Sequence, residues 1–420
     1  MNKLNVSPKL LGIGLVAGVF IVVVAYQAGK SSNDSSLVRA PGMNDHPNTN
    51  APVRSLDAGM GQPAADLASP HTANMKLWNQ ARFTQFSVGN SNVKGLFVDD
   101  KAAWIGTSMG LVRYDIARDN HKRYDNTVDG IFSNGVFHVS KLDDKIVVGT
   151  YGGGLSIFDP AANTWKNYNI PQGLADQFVY DVQRVANGDI WIATWSGANR
   201  IKGGRLDDPS AWETYTVENT GGGLPNPWVY ALEEGANGEL WFATEAGLAR
   251  FYKGEWTNWQ HEDGLGASYE KVVETLQSTS DPAQSSRHHA QLKSEQGLED
   301  VNVAYNPNYI ISLEVTPDGT VWNGTWGGGL SRFDGKEWLN FTDEDGLPSN
   351  HIFMLYLDQK NDLWVGTSKG LARLNEDGRS FSVLTMADGL FANNVFSMAH
   401  ADDGSYWVGS FGGLVRVAPN

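Results

Sequence analysis

Short apolar bursts recur along the chain from residue 82 onward, each broken by Gly, Asp or Asn. They are rich in β-branched and aromatic residues and too short for helices, so they predict strands. The densest example is WNGTWGGGLSRFD, from Trp322 to Asp334, which reads as two strands around a Gly-rich turn. Copies begin at Trp104, Val147, Trp191, Trp241, Trp364 and Trp407, which makes seven with Trp322. Successive anchors lie 43, 44, 50, 81, 42 and 43 residues apart. A period near this value, with four strands of pattern in each copy, predicts a β-propeller blade.

The four strands of a copy can be placed by pattern. An apolar strand A precedes the anchor, as in YIISLEV (Tyr309 to Val315). Strand B carries the anchor, and strand C is the GLxRF segment. Strand D carries an aromatic pair three residues apart, as in Trp165/Tyr168, Trp212/Tyr215, Trp256/Trp259 and Trp338/Phe341. After Trp407 only 13 residues remain, too few for a D strand. An unassigned pair at the D spacing, Phe83 and Phe86, precedes the first copy. The expectation is an all-β, seven-bladed propeller closed by an N-terminal strand that completes the last blade. Closure leaves no unpaired inner edge. The long gap between Trp241 and Trp322 holds an insertion over residues 266–306 that carries no anchor and no GT turn.

Ahead of the propeller, Lys3 and Lys9 flank an apolar run of 17 residues, Leu10 to Tyr26. Positive charge before the run places the N-terminus in the cytoplasm and the rest outside it. The expected organisation is a short cytoplasmic stretch (1–9), a transmembrane or signal-anchor helix (10–26), a flexible linker (27–81) and the propeller (82–420). The linker reading rests on Ser, Asn, Pro, Ala and Gly without apolar period. The expected location is the inner membrane, single-pass, with the propeller on the periplasmic side.

Charge and composition narrow the partners. A formal net charge of −15 argues against nucleic acid and against anionic lipid as main partners. The chain has no cysteine, which removes disulfides and thiolate metal sites. The His residues are scattered without metal-ligand spacing, and the GGG runs lack the helix and Lys of a phosphate loop. No catalytic residue, metal or cofactor is expected.

Because blade strands alternate direction, the B–C turns and the D–A loops share one face. Of 15 tryptophans, six are anchors and five belong to D pairs, leaving Trp78, Trp195, Trp228 and Trp326. The last three fall on that face, where aromatic rings can stack on flat or apolar ligands or wedge between blades. Tyr151, Glu245 and Phe411 occupy the same turn position as Trp195 and Trp326. Amides recur fourteen residues before the anchor at Gln177, Asn308, Asn350 and Asn393, serving either the turn or a ligand. His351 begins strand A of its copy. The candidate ligand-binding set is therefore Tyr151, Trp195, Trp228, Glu245, Trp326, Asn350, His351 and Phe411.

The WxGT turn, the GLxRF strand and the DGLxxN loop (Asp345 to Asn350) together resemble the two-component regulator propeller repeat. The resemblance implies an extracytoplasmic sensor propeller that recognises a ligand, often an oligosaccharide, without catalysis. This sequence lacks the kinase and the linking β-domain of those receptors. Streptogramin lyases have a similar form, but their metal-binding His and Glu set has no counterpart here. The functional expectation is a membrane-tethered sensing or accessory subunit that binds a small ligand, a glycan, or an envelope or membrane protein. Two alternatives stand beside it: an envelope-assembly scaffold docking through the insertion, and a metal-dependent lyase or hydrolase using face carboxylates and His351.

Overall fold

The computed structural model describes residues 53–55, 67–68 and 81–419, except 277–280, 285 and 299. The Leu10–Tyr26 run and Trp78 lie outside them. Among the described residues no helix is long and apolar enough to cross a membrane.

The strands form an all-β propeller of six hydrogen-bonded sheets, and not the seven separate blades that the repeat count predicts. Five sheets have four antiparallel strands each, in the A-to-D order read from the sequence. The sixth sheet joins the first and last copies. The long strand Ala81–Val98 pairs through residues 81–87 with the C-terminal strand Tyr406–Pro419, and through 93–98 with Ala102–Thr107. A bridge between Asn92 and Phe411 carries the pairing across the join. Two blades that share long strands in this way count as one enlarged sheet.

The closing strand is the Phe83–Phe86 segment, paired as Phe83 with Val417 and Phe86 with Leu414. Phe86 is 1% exposed and stacks on the anchor Trp407 at 5.4 Å. Within residues 27–81, Val53–Ser55 and Leu67–Ala68 form short strands on Ala81–Val98. The inner strands touch in cyclic order, from Ala81–Val98 through Val136–Leu142 and its successors to Val395–His400, which meets Ala81–Val98 again.

The repeat motif has a packing explanation. In the D pairs the second aromatic stacks on its own anchor, as Tyr215 does on Trp191 (5.2 Å) and Phe341 on Trp322 (5.8 Å). The first aromatic reaches the preceding copy, as Trp165 reaches Tyr124 and Trp256 reaches Tyr215, both at 5.7 Å. Each strand-C arginine lies over an anchor ring, for example Arg113 over Trp104 and Arg416 over Trp407, both at 5.7 Å. Cation–π contacts of this kind contribute about 0.5–1 kcal/mol where exposed and more when desolvated.

The insertion contains the short helix Tyr269–Val272 and the helix Arg287–Glu295. Residues 277–304 belong to a separate compact unit. Within that unit Lys293 donates to Asp281 (2.8 Å) and to the carbonyls of Val301 and Val303.

Candidate functional site

Every B–C turn is built alike. The threonine of the GT motif donates through Oγ1 back across the turn, as Thr194 does to the Gly197 carbonyl at 2.7 Å. The last copy uses Ser410, with a longer bond of 3.3 Å to Gly413. The turns are then bonded to the D–A loops. The Gly197 amide donates to Pro227 and the Gly329 amide to Asn350 in the loop entering the next copy, while the Glu245 amide donates to Trp228 at 3.3 Å and the Ser368 amide to His351 in the loop entering their own copy. The turns and loops therefore do share one face, held together by backbone bonds.

On that face the aromatic candidates form a continuous row across three copies. Tyr151 meets the edge of Phe178 at 4.5 Å. Phe178 stacks on Trp195 at 4.1 Å, and Trp195 lies on Trp228 at 4.4 Å with 4° between the ring planes. All four side chains keep partial exposure. Trp326 sits further round and is buried, stacked against Tyr309 at 5.9 Å with the His351 ring edge-on at 5.1 Å.

Next to the row, each inner strand sets one side chain out of its regular pairing. These are Lys94, Phe137, Tyr180, Tyr230, Ile311, Phe353 and Phe396. All seven are left out of the ladder where the register shifts. A β-bulge turns its extra residue away from the regular pleat. Phe137 stacks on Tyr180 at 4.7 Å, Tyr180 meets Tyr230 at 4.9 Å, and Phe353 stacks on Phe396 at 5.2 Å. Lys94 Nζ lies 4.6 Å from the Phe137 ring centre, and burial lowers its ammonium to about 8.

Glu245 is wholly buried beside this ring. Burial pushes the hydroxyls of Tyr180, Tyr230 and Tyr309 well above the ordinary tyrosine range, and the Glu245 carboxylate adds to all three. Deeper in, the inner strands carry a polar girdle. His138 Nδ1 lies 3.1 Å from Asp181, Gln183 donates to Glu233 at 2.8 Å, and the Leu357 amide donates to Glu314 at 3.2 Å. Burial, with neighbouring carboxylates, raises Glu233 well above the ordinary range and Glu314 to about 7.

Of the eight residues expected to bind ligand, Tyr151, Trp195 and Trp228 are gathered in the exposed row, with Glu245 beside them below the surface. Trp326 and His351 form a second, buried pair. Phe411 is half-buried at the join of the enlarged sheet. The Asn350 amide is used inside its own loop. It accepts from the Asp343 amide (3.0 Å) and donates to Asp343 Oδ1 and to Thr275 (3.0 Å). Asn393 and Asn308 likewise accept from loop backbone amides, so this position serves the turn. Among the described residues no group of three or more His, Asp or Glu is placed to hold a metal ion.

Two residue sets were not foreseen, Phe178 and the bulge ring. The ring has a signal in the sequence: Tyr180, Tyr230, Ile311, Phe353 and Phe396 each stand eleven residues before an anchor tryptophan.

Comparison with known proteins fits this architecture. Residues 223–246 and 346–369 match the two-component regulator propeller model. Over these two stretches the chain carries two-component regulator propeller repeats. No curated protein matches it. Among solved structures it is similar to the extracellular domain of a hybrid two-component system from B. thetaiotaomicron, at 17% identity and a TM-score of 0.59. That likeness covers 79% of this chain and 40% of that one, so the chain spans less than half the length of that structure. A streptogramin B lyase is similar at 14% identity and a TM-score of 0.56, over 82% of this chain and all of that one. YCF48 bound to D1 peptide is similar at 13% identity and a TM-score of 0.53, over 85% of this chain and all of that one. At these identities the likeness is one of fold.

Proposed function

We propose that this chain is an extracytoplasmic recognition propeller, tethered to the membrane by the Leu10–Tyr26 run, that senses a ligand for a regulatory system. The observation that carries the reading is the partly exposed row Tyr151–Phe178–Trp195–Trp228. Stacked aromatics left partly open to solvent cost hydration free energy, and they form the kind of platform that binds a flat or apolar ligand face. The extracellular domain of a hybrid two-component system supports a sensing role by analogy of fold.

The test is affinity capture of the full-length, detergent-extracted protein, beside a glycan array, with wild type and a Trp195→Ala/Trp228→Ala variant. A bound glycan or membrane signalling protein that the variant loses supports the reading. Equal capture by both proteins refutes it.

A second reading, an envelope-assembly scaffold, draws on a different observation. Met109, Val128, Phe132 and Ile170 are all more than half exposed in the turns and loops of the first two copies. Large exposed apolar side chains on one face are a mark of protein contact. This reading predicts that Phe132→Ser, and not the tryptophan variant, releases a captured envelope protein.

A further inference from the structure

The inner strand of the second copy, Val136–Leu142, shares a line of hydrogen bonds with the next inner strand, Val179–Arg184. Ser140 Oγ lies 2.7 Å from His138 Nε2, and His138 Nδ1 lies 3.1 Å from Asp181 Oδ1. Asp181 is fixed in turn by backbone. Its Oδ1 accepts from the Val182 amide at 2.8 Å and its Oδ2 from the Leu232 amide at 3.0 Å. A carboxylate that accepts from both sides asks for the proton on His138 Nδ1, which leaves Nε2 to accept from the Ser140 hydroxyl. That is the tautomer, and the order of partners, in which a histidine activates a serine.

A structural role explains only half of this line. The His138–Asp181 contact joins two blades. Ser140 stands on the same strand as His138, so its bond adds nothing to that junction. Counted three residues past the bulge, the position of Ser140 is held elsewhere by Gln183, Glu314 and Tyr356. Gln183 donates to Glu233, Glu314 accepts from the Leu357 amide and Tyr356 accepts from the His400 amide, each on the next inner strand. Ser140 is instead turned to the histidine. All three members of the line keep partial exposure, 16% for the His138 side chain and 23% for that of Asp181. Because all three are carried on strands, the nucleophile and its base are held in place before any substrate arrives.

We propose that Ser140 is a nucleophile activated by His138, with Asp181 as the positioning residue, and that it takes the acyl group of a small carboxylic ester. Ser140 Oγ bonds to the ester carbonyl carbon as its proton passes to His138 Nε2. The bond to the leaving oxygen then breaks, and that oxygen takes the proton from His138. A water molecule, deprotonated by His138, attacks the acyl-serine, and the proton returns to Ser140 Oγ as the carboxylic acid leaves. The sum is ester and water giving acid and alcohol. This goes beyond the recognition reading and uses none of its residues.

The test treats the full-length, detergent-extracted protein with a fluorophosphonate probe, maps the adduct by mass spectrometry, and follows hydrolysis of p-nitrophenyl acetate beside it. The expected result is an adduct on Ser140 and hydrolysis at least about tenfold faster than by Ser140→Ala. His138→Gln should lower both by at least about tenfold. Asp181→Asn should lower both as well and move the His138 proton to Nε2, which nitrogen NMR of the imidazole reads. No adduct on Ser140, an adduct that His138→Gln leaves unchanged, or equal hydrolysis by wild type and Ser140→Ala overturns the proposal. Ser140→Ala removes one hydroxyl at a partly exposed site, so the test holds even if Asp181→Asn fails to fold. The Trp195→Ala/Trp228→Ala variant should label like wild type, so failure here and failure of the recognition reading are separate results.

Discussion

Val147 and Ile157 stand directly opposite each other in adjacent strands, at the place where the other six copies set an arginine over a tryptophan. The two substitutions come together because each side chain needs the other. A guanidinium without the ring loses its cation–π partner, and the ring without it loses its cover. Arg373→Met should therefore cost about 0.5–1 kcal/mol. Ile157→Arg, at a site 7% exposed with no ring to lie on, should cost about 2 kcal/mol or more. Chemical denaturation of both variants measures the difference.

Closure of the ring depends on Phe86. It is almost wholly buried between Trp407 and Tyr114. Phe86→Ala should destabilise the propeller by about 3–5 kcal/mol. The same change should make the C-terminal strand the first site of proteolytic cleavage. Limited proteolysis with mass spectrometry would show that, and cleavage beginning elsewhere would count against the closing role.

The threonine clasp predicts a graded series. Thr194→Val removes a buried hydrogen bond of 2.7 Å and leaves a carbonyl without its partner, at a cost of about 1–3 kcal/mol. Ser410→Ala, where the bond is 3.3 Å, should cost less. Melting temperatures should fall in that order.

The polar girdle predicts an acid-side gain in stability. Glu314 has its carboxyl raised from 4.5 to about 7 by burial, and Glu233 is raised as well. A carboxyl raised on folding contributes stability that is fully present below its unfolded value and is lost as pH rises through the folded one. For Glu314 the window runs from 4.5 to about 7. Glu314→Gln should melt higher than wild type at pH 8 and no higher at pH 5. A constant difference across that range would remove Glu314 as the cause.

Much of this was legible because the repeat is a packing device. The anchors, the D pairs and the GLxRF arginines mark positions whose neighbours belong to the same or the next copy, so period alone locates them. The Phe83–Phe86 pair was legible by subtraction, as a D strand without a blade. The blade count was less so. Sequence copies are separate, but hydrogen bonding is continuous through Ala81–Val98, and nothing in a repeat count reveals that two copies share a strand. Asn350 shows the limit for site residues. An amide at a recurring loop position reads equally as ligand contact or turn, and its bonds to Asp343 and Thr275 decide for the turn. The bulge ring was missed because a strand was read as apolar throughout, when a register shift turns one of its residues aside.

The pairing of Phe86 with Leu414 joins residues more than three hundred positions apart. During synthesis the first strand emerges long before its neighbour exists. Contacts so distant in sequence slow folding, because the chain must close a very large loop before it gains anything from the closure. The early strand thus waits with an unpaired edge and its two phenylalanines uncovered until the last residues are made. A chain cut short by even the final strand would keep nearly all of its repeats and still be unable to close.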